Sequence, residues 1–379
     1  MPARASHPEG RERELLDAAR GGSERAFEEL VEPHRGALHA HCYRMLGSVH
    51  DAEDVLQETL LRAWRALGRF EGRSSLRSWL YTIATNACLD VLARRPKRVL
   101  PMDHAPASDP ELGPGEPVVE RIWIEPYPDE RMGLEDGLAG PDARYEQREA
   151  VELAFVAALQ HLPPNQRAAL LLRDVLGFSA REAAQALDAS VASVNSALQR
   201  ARATVAERLP ERSQQATLRE LGDERIRDLV ERYMEAWERD DVDTVVSMLA
   251  ADASFAMPPL RTWFGGRDAI ATFLAGSPMS GRWRWRPLRT RANGQEALAF
   301  YCWDEGEGAY MPFALNVLTF AGERIADVTA FITTSAPAGA SRETVQAMPE
   351  LPYDPVALAA AFGNFGLPGR LEAGEPASA

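Results

Sequence analysis

Residues 162–205 read LPPNQRAALLLRDVLGFSAREAAQALDASVASVNSALQRARATV, and they decide the fold of the middle of the chain. Ser179 with Glu182 three residues later has the form of a capping box opening a short helix. Asp188-Ala189-Ser190 supplies a turn, with Ser190 the N-cap of a second helix. On that helix Val191, Val194, Leu198, Ala201 and Val205 recur at helical spacing and should face a core. This leaves Asn195, Ser196, Gln199 and Arg202 on the outward face, flanked by Ser193 and Arg200. Such side chains can hydrogen-bond base edges or hold phosphates, as a helix in a major groove must. The same pattern equally fits the solvated face of an ordinary three-helix bundle.

Upstream, residues 51–64 read DAEDVLQETLLRAW. Leu56, Leu60 and Leu67 form one helical stripe, leaving Asp51, Asp54, Gln57 and Glu58 exposed on the other side. An acidic exposed helix suits docking on a basic protein surface. Between positions 62 and 98 the balance reverses: nine basic residues face only Glu71 and Asp90, a local charge of +7. Phe70, Trp79 and Tyr81 are interleaved with the arginines, a combination suited to single-stranded nucleic acid, where bases stack on rings and cations neutralise the backbone. Trp64 and Trp79 themselves fall in apolar stripes and are expected to pack in the core.

That basic stretch is hidden by the whole-chain balance. The 379 residues carry 42 basic and 56 acidic side chains, a formal charge of −14, which excludes a general attraction to nucleic acid and leaves only a local patch. Lys97 is the single lysine, so the arginines reflect a coding bias rather than a choice for chemistry. Cys42, Cys88 and Cys302 have no paired spacing, which argues against a disulfide framework or a zinc motif and for a reducing, cytoplasmic setting. His39, His41 and Cys42 do not share a helix face at ligand spacing, so no metal and no cofactor is expected. The N-terminus lacks the apolar run of a signal peptide and no stretch is long and apolar enough for a membrane, so neither export nor a membrane partner is expected.

Together, 51–64, the segment FEGRSSLRSWLYTIATNACLDVLARRPKR at 70–98 and the stretch at 162–205 resemble the two conserved regions of extracytoplasmic-function sigma factors of bacterial RNA polymerase. The resemblance spans about residues 12–209. It implies that Asp51, Asp54, Gln57 and Glu58 dock on core polymerase. It also implies that the span from Arg69 through Arg73 and Arg77 to position 98 melts and captures the minus-ten element of promoter DNA, with Asn86, Arg94 and Arg95 as contacts. The helix from Val191 would read the minus-thirty-five element. Many relatives carry basic residues early in that helix where this chain has Asn195 and Ala197, which implies a shallower salt dependence. Whether an anti-sigma factor exists the residues do not say.

Between the two blocks, residues 99–142 are rich in Pro and Gly, and from Asp103 to Asp136 ten carboxylates oppose two arginines, a local charge of −8. This segment, which contains Trp123-Ile124-Glu125-Pro126-Tyr127-Pro128-Asp129, is either a disordered spacer or, as the resemblance implies, a strand threading a polymerase cleft that otherwise holds nucleic acid.

Beyond residue 223 an amphipathic helix (Ile226, Leu229, Val230, Tyr233, Trp237) is followed by a shorter one and then by four apolar or alternating runs separated by turn signals, the pattern of an antiparallel sheet. Residues 223–333 resemble the SnoaL-like domains of the cystatin-like cone fold. The expected architecture is therefore multidomain: two all-α helical domains (11–98 and 143–212, the second a helix-turn-helix) joined by the acidic linker, then an α+β cone-fold domain (223–333) and a tail (334–379) with little regular structure.

Phe255, Met257, Trp263, Trp283, Tyr301, Trp303 and Tyr310 are candidates to line the apolar pocket such a cone encloses, with a small apolar ligand as its occupant. For catalysis the pocket would need a desolvated carboxylate or a His dyad. No histidine follows His161, and Asp252, Asp304 and Asp327 sit at expected strand or helix ends, so the reading is binding or regulation, not an enzyme. The rival classes are a ligand-responsive helix-turn-helix regulator and a cone-fold enzyme fused to a DNA-binding segment.

Overall fold

The computed structural model describes residues 8–113, 115, 123–132, 148–333 and 361–373. Two compact units emerge: residues 1–97, 131–150 and 158–208 form one, and 98–130, 151–157 and 209–379 form the other.

The first unit is helical. It contains α1 (Pro8–Arg20), α2 (Glu24–Val31), α3 (Arg35–Leu46), α4 (Val49–Ala66) and α5 (Leu76–Leu92). Ser23, Ser48 and Ser75 cap α2, α4 and α5, each side-chain oxygen accepting from a backbone N–H three residues on. Leu56, Leu60 and Leu67 are buried as the stripe requires. Trp64 and Trp79 are half-buried, Trp64 packed on Phe27 (5.2 Å between ring centres) and Trp79 on Phe70 (4.8 Å).

A one-turn helix, α6 (Pro101–His104), belongs to the second unit, and α7 (Leu153–Gln160) spans the boundary between the units. Then come α8 (Pro164–Leu170), α9 (Ala180–Ala186) and α10 (Val191–Ala206), again in the first unit. The capping box is formed: Ser179 Oγ accepts from the Glu182 N–H and the Glu182 carboxylate accepts from the Ser179 N–H. Asp188 supplies the left-handed turn (φ 46°) and Ser190 caps α10. Val194, Leu198, Ala201 and Val205 are buried, but Val191 is 42% exposed. At the first residue of α10, just past its cap, the side chain has not yet come under the packed face, so the stripe begins one turn later than the sequence pattern suggests.

In the second unit, α11 (Gln214–Leu221), α12 (Asp223–Glu238) and α13 (Val242–Met248) precede β1 (Leu249–Ala256), β2 (Trp263–Gly265), α14 (Arg267–Gly276), β3 (Trp285–Ala292), β4 (Gln295–Asp304), β5 (Ala309–Ala321) and β6 (Arg324–Ile332). The six strands form one sheet in the order β2-β1-β6-β5-β4-β3. Its core joins α12 and α14 to one face: Trp237 packs on Phe300 (4.8 Å) and Phe273 stacks on Phe264 (4.5 Å). The four runs expected to form the sheet pair antiparallel as β3–β4, β4–β5 and β5–β6, and β1, which that expectation did not include, adds a parallel pairing with β6. A parallel pair cannot be closed by a tight turn, so no local turn signal marks it.

Candidate nucleic-acid interface

On α4, Asp54 and Gln57 are exposed and Glu58 is half-buried, its carboxylate accepting from Arg62 Nε at 2.7 Å. Arg62 also pairs with Asp90 of α5 at 3.0 Å. Asp51 corrects the expected exposed quartet, being only 3% exposed and joined in an ion pair with Arg95. The reason is its position at the start of α4, where Ser48 accepts from its N–H and the chain turns inward from Gly47. Arg95 is thus held at one edge by a buried carboxylate, which pushes the pKa of its guanidinium further up.

The other basic candidates divide between exposed and anchored positions. Arg69, Arg73, Arg94 and Asn86 are exposed, with Arg73 paired to Glu71 and Asn86 Nδ2 donating to the Ala186 carbonyl of α9 at 3.4 Å. Arg77 lies over the rings of Tyr81 (5.1 Å) and Phe178 (5.4 Å) and donates to the Leu176 carbonyl. Ser78 Oγ reaches Glu182 at 3.4 Å. The helix expected to meet the minus-ten element and the first helix of the helix-turn-helix therefore touch within the first unit.

On α10, Ser193, Asn195, Ser196, Gln199, Arg200 and Arg202 are all exposed along one side. Arg202 is engaged by Asp174, with Nε and Nη2 donating to its two carboxylate oxygens at 2.8 and 2.7 Å.

Sequence reasoning missed the buried arginine that ties the bundle together. Arg167 of α8 donates to Gln160 Oε1 (2.6 Å), to the carbonyls of Gln160 and Leu162 (3.2 Å each) and to that of Met45. Burial lowers its pKa to about 10. No local pattern distinguishes it from the many surface arginines.

His39 and His41 are both buried. Thr85 Oγ1 donates to the Tyr81 carbonyl (2.7 Å), so it must accept from His41 Nε2 (2.9 Å), which leaves His41 Nδ1 bare and without a partner. Burial lowers the pKa of His41 to about 3 and that of His39 to about 4. Among the described residues no group of His, Cys, Asp and Glu could hold a metal ion, and no helix is long and apolar enough to cross a membrane.

The described part of the acidic linker is no bare spacer. Trp123, Ile124 and Tyr127 are buried within the second unit. Val99 and Trp123 form a parallel bridge, and Trp263 Nε1 donates to the Ala105 carbonyl at 2.8 Å. The tip of the β3–β4 hairpin grips two segments at once. Asn293 accepts from the Tyr127 N–H (2.9 Å) and donates to the Val151 carbonyl (2.8 Å), while Asp129 accepts from Gly294 N and Arg291 Nε. Buried Glu152 accepts from the N–H groups of Gln214 and Gln215 at the start of α11.

The cone holds a cavity, part of it open to solvent, lined by Trp237, Phe255, Phe273, Trp285, Phe300 and Asn316 among others. Of the expected residues Phe255, Met257 and Trp283 line it. The other four are corrected. Trp263 faces the linker, Tyr301 Oη donates to the Pro368 carbonyl and packs on Phe362, and Trp303 stacks edge-on with Tyr310. Strand alternation put these rings on the outer face, where the linker or the end of the chain covers several of them. Part of the tail, 361–373, is described and packs there, with Leu371 bridged to Tyr310; the rest of the tail, 334–360 and 374–379, like linker residues 133–142, lies outside the described residues. Asp327 is likewise not at a strand end. It sits within β6, takes a hydrogen bond from Ser254 (2.6 Å), and burial raises its pKa.

Against known families, residues 30–98 match the Sigma-70 region 2 model, 152–205 the Sigma-70, region 4 model, and 230–328 the SnoaL-like domain model. The chain is 44% identical over 335 residues to the ECF RNA polymerase sigma factor SigG of Mycobacterium tuberculosis, covering 85% of this chain and 84% of that one. It is 33% identical over 187 residues to SigE of Mycolicibacterium smegmatis, covering 47% of this chain and 59% of that one. The crystal structure of the extracytoplasmic function sigma factor SigJ of Mycobacterium tuberculosis, 22% identical, superposes with a TM-score of 0.50 over 79% of this chain and 93% of that one.

Proposed function

Because the chain belongs to the extracytoplasmic-function sigma factors of RNA polymerase, we propose that it docks on core polymerase through the acidic edge of α4 and delivers promoter DNA through α5 and α10. The observation that carries this reading is the occurrence of region 2 and region 4 matches in order along one chain. Asp54, Gln57 and Glu58 are the docking residues of this reading, with Asp51 shaping the helix end behind them. Arg69, Arg73, Arg77, Asn86, Arg94 and Arg95 serve the minus-ten element, and Ser193, Asn195, Ser196, Gln199, Arg200 and Arg202 the minus-thirty-five element. The five segments 11–98, 99–142, 143–212, 223–333 and 334–379 are its working modules. It acts in the cytoplasm, where the polymerase is, and it is a specificity subunit rather than an enzyme.

The contact between α5 and α9 sets a condition on this function. The two promoter elements are by name about 25 base pairs apart, roughly 85 Å of duplex at 3.4 Å per base pair. Helices joined by the Asn86 bond to the Ala186 carbonyl and the Ser78 bond to Glu182 cannot read both at once, so the first unit must open when holoenzyme forms. The grip of the β3–β4 hairpin on Tyr127 and Asp129 supports a regulatory role for the C-terminal domain, which retains the linker until polymerase competes for it. Run-off transcription with purified core polymerase and genomic DNA tests the reading: discrete starts that depend on the chain are expected. Duplex binding without polymerase and no starts would favour the rival repressor. Versions ending near 212 and near 334, assayed beside the full chain, separate the regulatory part, since equal activity from all three overturns it.

A further inference from the structure

Two side chains of the cavity wall carry a buried polar atom without a hydrogen-bond partner, the indole Nε1 of Trp237 and the amide Oδ1 of Asn316, and of these the amide oxygen is the acceptor. Asn316 lies mid-strand in β5, opposite Leu298 on β4 and Ala330 on β6, and is only 3% exposed. Its Oδ1 has no hydrogen-bond partner. A buried amide oxygen left unsatisfied is destabilising, whereas an apolar residue of the same shape at this site would not be. The remaining walls are mostly rings and aliphatic groups, among them Trp237, Phe255, Trp285 and Phe300. None of the described lining residues is ionisable. Ser277, Pro278, Trp283, Phe313 and Ile332 of the lining are half-buried, and the rest of it is buried.

We propose that this cavity is a binding site for an uncharged, largely apolar small molecule carrying one hydroxyl or amide group, and that Asn316 selects for that group. A charged ligand is disfavoured because no described lining side chain could compensate its desolvation. A wholly apolar ligand is disfavoured because it would seal the Asn316 amide away from water with nothing to bond. A hydroxyl can both donate and accept, so it satisfies the amide and brings the ligand's remaining surface against the rings.

Three matched probes test this by equilibrium dialysis against the full chain: 4-phenylphenol, biphenyl and biphenyl-4-carboxylate. The expected order is 4-phenylphenol first, at least about tenfold tighter than biphenyl, with the carboxylate weakest. Asn316→Leu should erase the preference for 4-phenylphenol over biphenyl, and Ala330→Phe, which fills the cavity from β6, should abolish binding of both. Circular dichroism melts establish that each variant is folded, and the three-probe order in the unaltered chain decides the matter even if a variant is not. Equal binding of 4-phenylphenol and biphenyl, preference for the carboxylate, no binding of any probe, or an unchanged preference in folded Asn316→Leu each overturns the proposal. Dialysis and run-off transcription are separate readouts, so failure of this site leaves the polymerase reading standing, and the reverse.

Discussion

Asn293 and Tyr127, 166 positions apart in the chain, hold each other by two hydrogen bonds: Asn293 Oδ1 accepts from the Tyr127 N–H at 2.9 Å, and the Asn293 N–H donates to the Tyr127 carbonyl at 2.8 Å. The residue is suited to both tasks. Its φ of 56° lies in the left-handed region that asparagine tolerates better than most, and its short amide reaches the linker backbone. Asn293→Gly keeps the turn and removes the amide. The expected cost is about 1–3 kcal/mol in the stability of the linker grip. Hydrogen exchange should read it as faster exchange of the Tyr127 and Ile124 amides, with the strands of the sheet unaffected. If those amides exchange at the original rate, the side chain does not hold the linker.

Asp51 and Asp54, three residues apart on α4, should separate structure from docking. Asp51 is buried against Arg95, and Asp54 is exposed. Asp51→Asn removes the charge that Arg95 answers. It should cost about 2 kcal/mol in a urea melt, less than a fully buried pair because Arg95 keeps part of its water. Asp54→Arg should leave stability within about 0.5 kcal/mol and abolish co-purification with core polymerase. A melt shifted by Asp54→Arg, or retained polymerase binding, would reverse the assignment.

What the sequence makes legible follows the range of the interactions. Ser179 with Glu182 and the Ser190 cap are contacts within four residues, and the structure forms them as the spacing predicts, as it does the α10 stripe from Val194 onward. The α12 stripe from Ile226 to Trp237 is buried for the same reason. Errors gather where a partner lies far along the chain. Asp51 looks exposed until Arg95, 44 residues on, closes over it. Trp263 and Tyr301 look like cavity rings until Ala105 and Pro368 take their polar atoms. Asn293 is visible only as part of a turn signal, and nothing near Asn316 in sequence shows that its neighbours across the sheet are Leu298 and Ala330.

Arg202 is held by Asp174 before any DNA arrives. This pair must loosen for the guanidinium to reach a phosphate, so Asp174→Asn should strengthen binding to all promoters alike and steepen its salt dependence by about one phosphate contact. Arg202→Ala should do the opposite, again uniformly. Gln199→Ala, at an exposed position without a charge, should instead cost about 1–3 kcal/mol at one base pair and relax preference there. Binding measured across a set of single-base promoter variants at two salt concentrations distinguishes these cases. A uniform loss from Gln199→Ala would mean that α10 positions the protein without specifying sequence.

His41 makes the stability of the first unit pH-dependent. Its Nε2–H is committed to Thr85 and its bare Nδ1 is buried, so the ring is neutral when folded and protonation must place a charge with nothing to receive it. The folded pKa of about 3 lies below the ordinary 6.5, so the unfolded chain binds the proton more tightly. Stability from this group is therefore complete above pH 6.5 and is lost as pH falls from there toward 3. At pH 5 the loss is about 2 kcal/mol, from 1.36 kcal/mol for each of the one and a half pH units below 6.5. His39, lowered to about 4 despite the nearby Glu53, acts in the same direction. His41→Gln can donate to Thr85 through its side-chain amide but cannot take up a proton in this range. Urea melts at pH 7 and pH 5 should show the unaltered protein losing markedly more stability on acidification than His41→Gln, with about 2 kcal/mol separating the two losses. Equal losses would mean that the buried ring is not the acid-sensitive element and that exposed carboxylates set the profile.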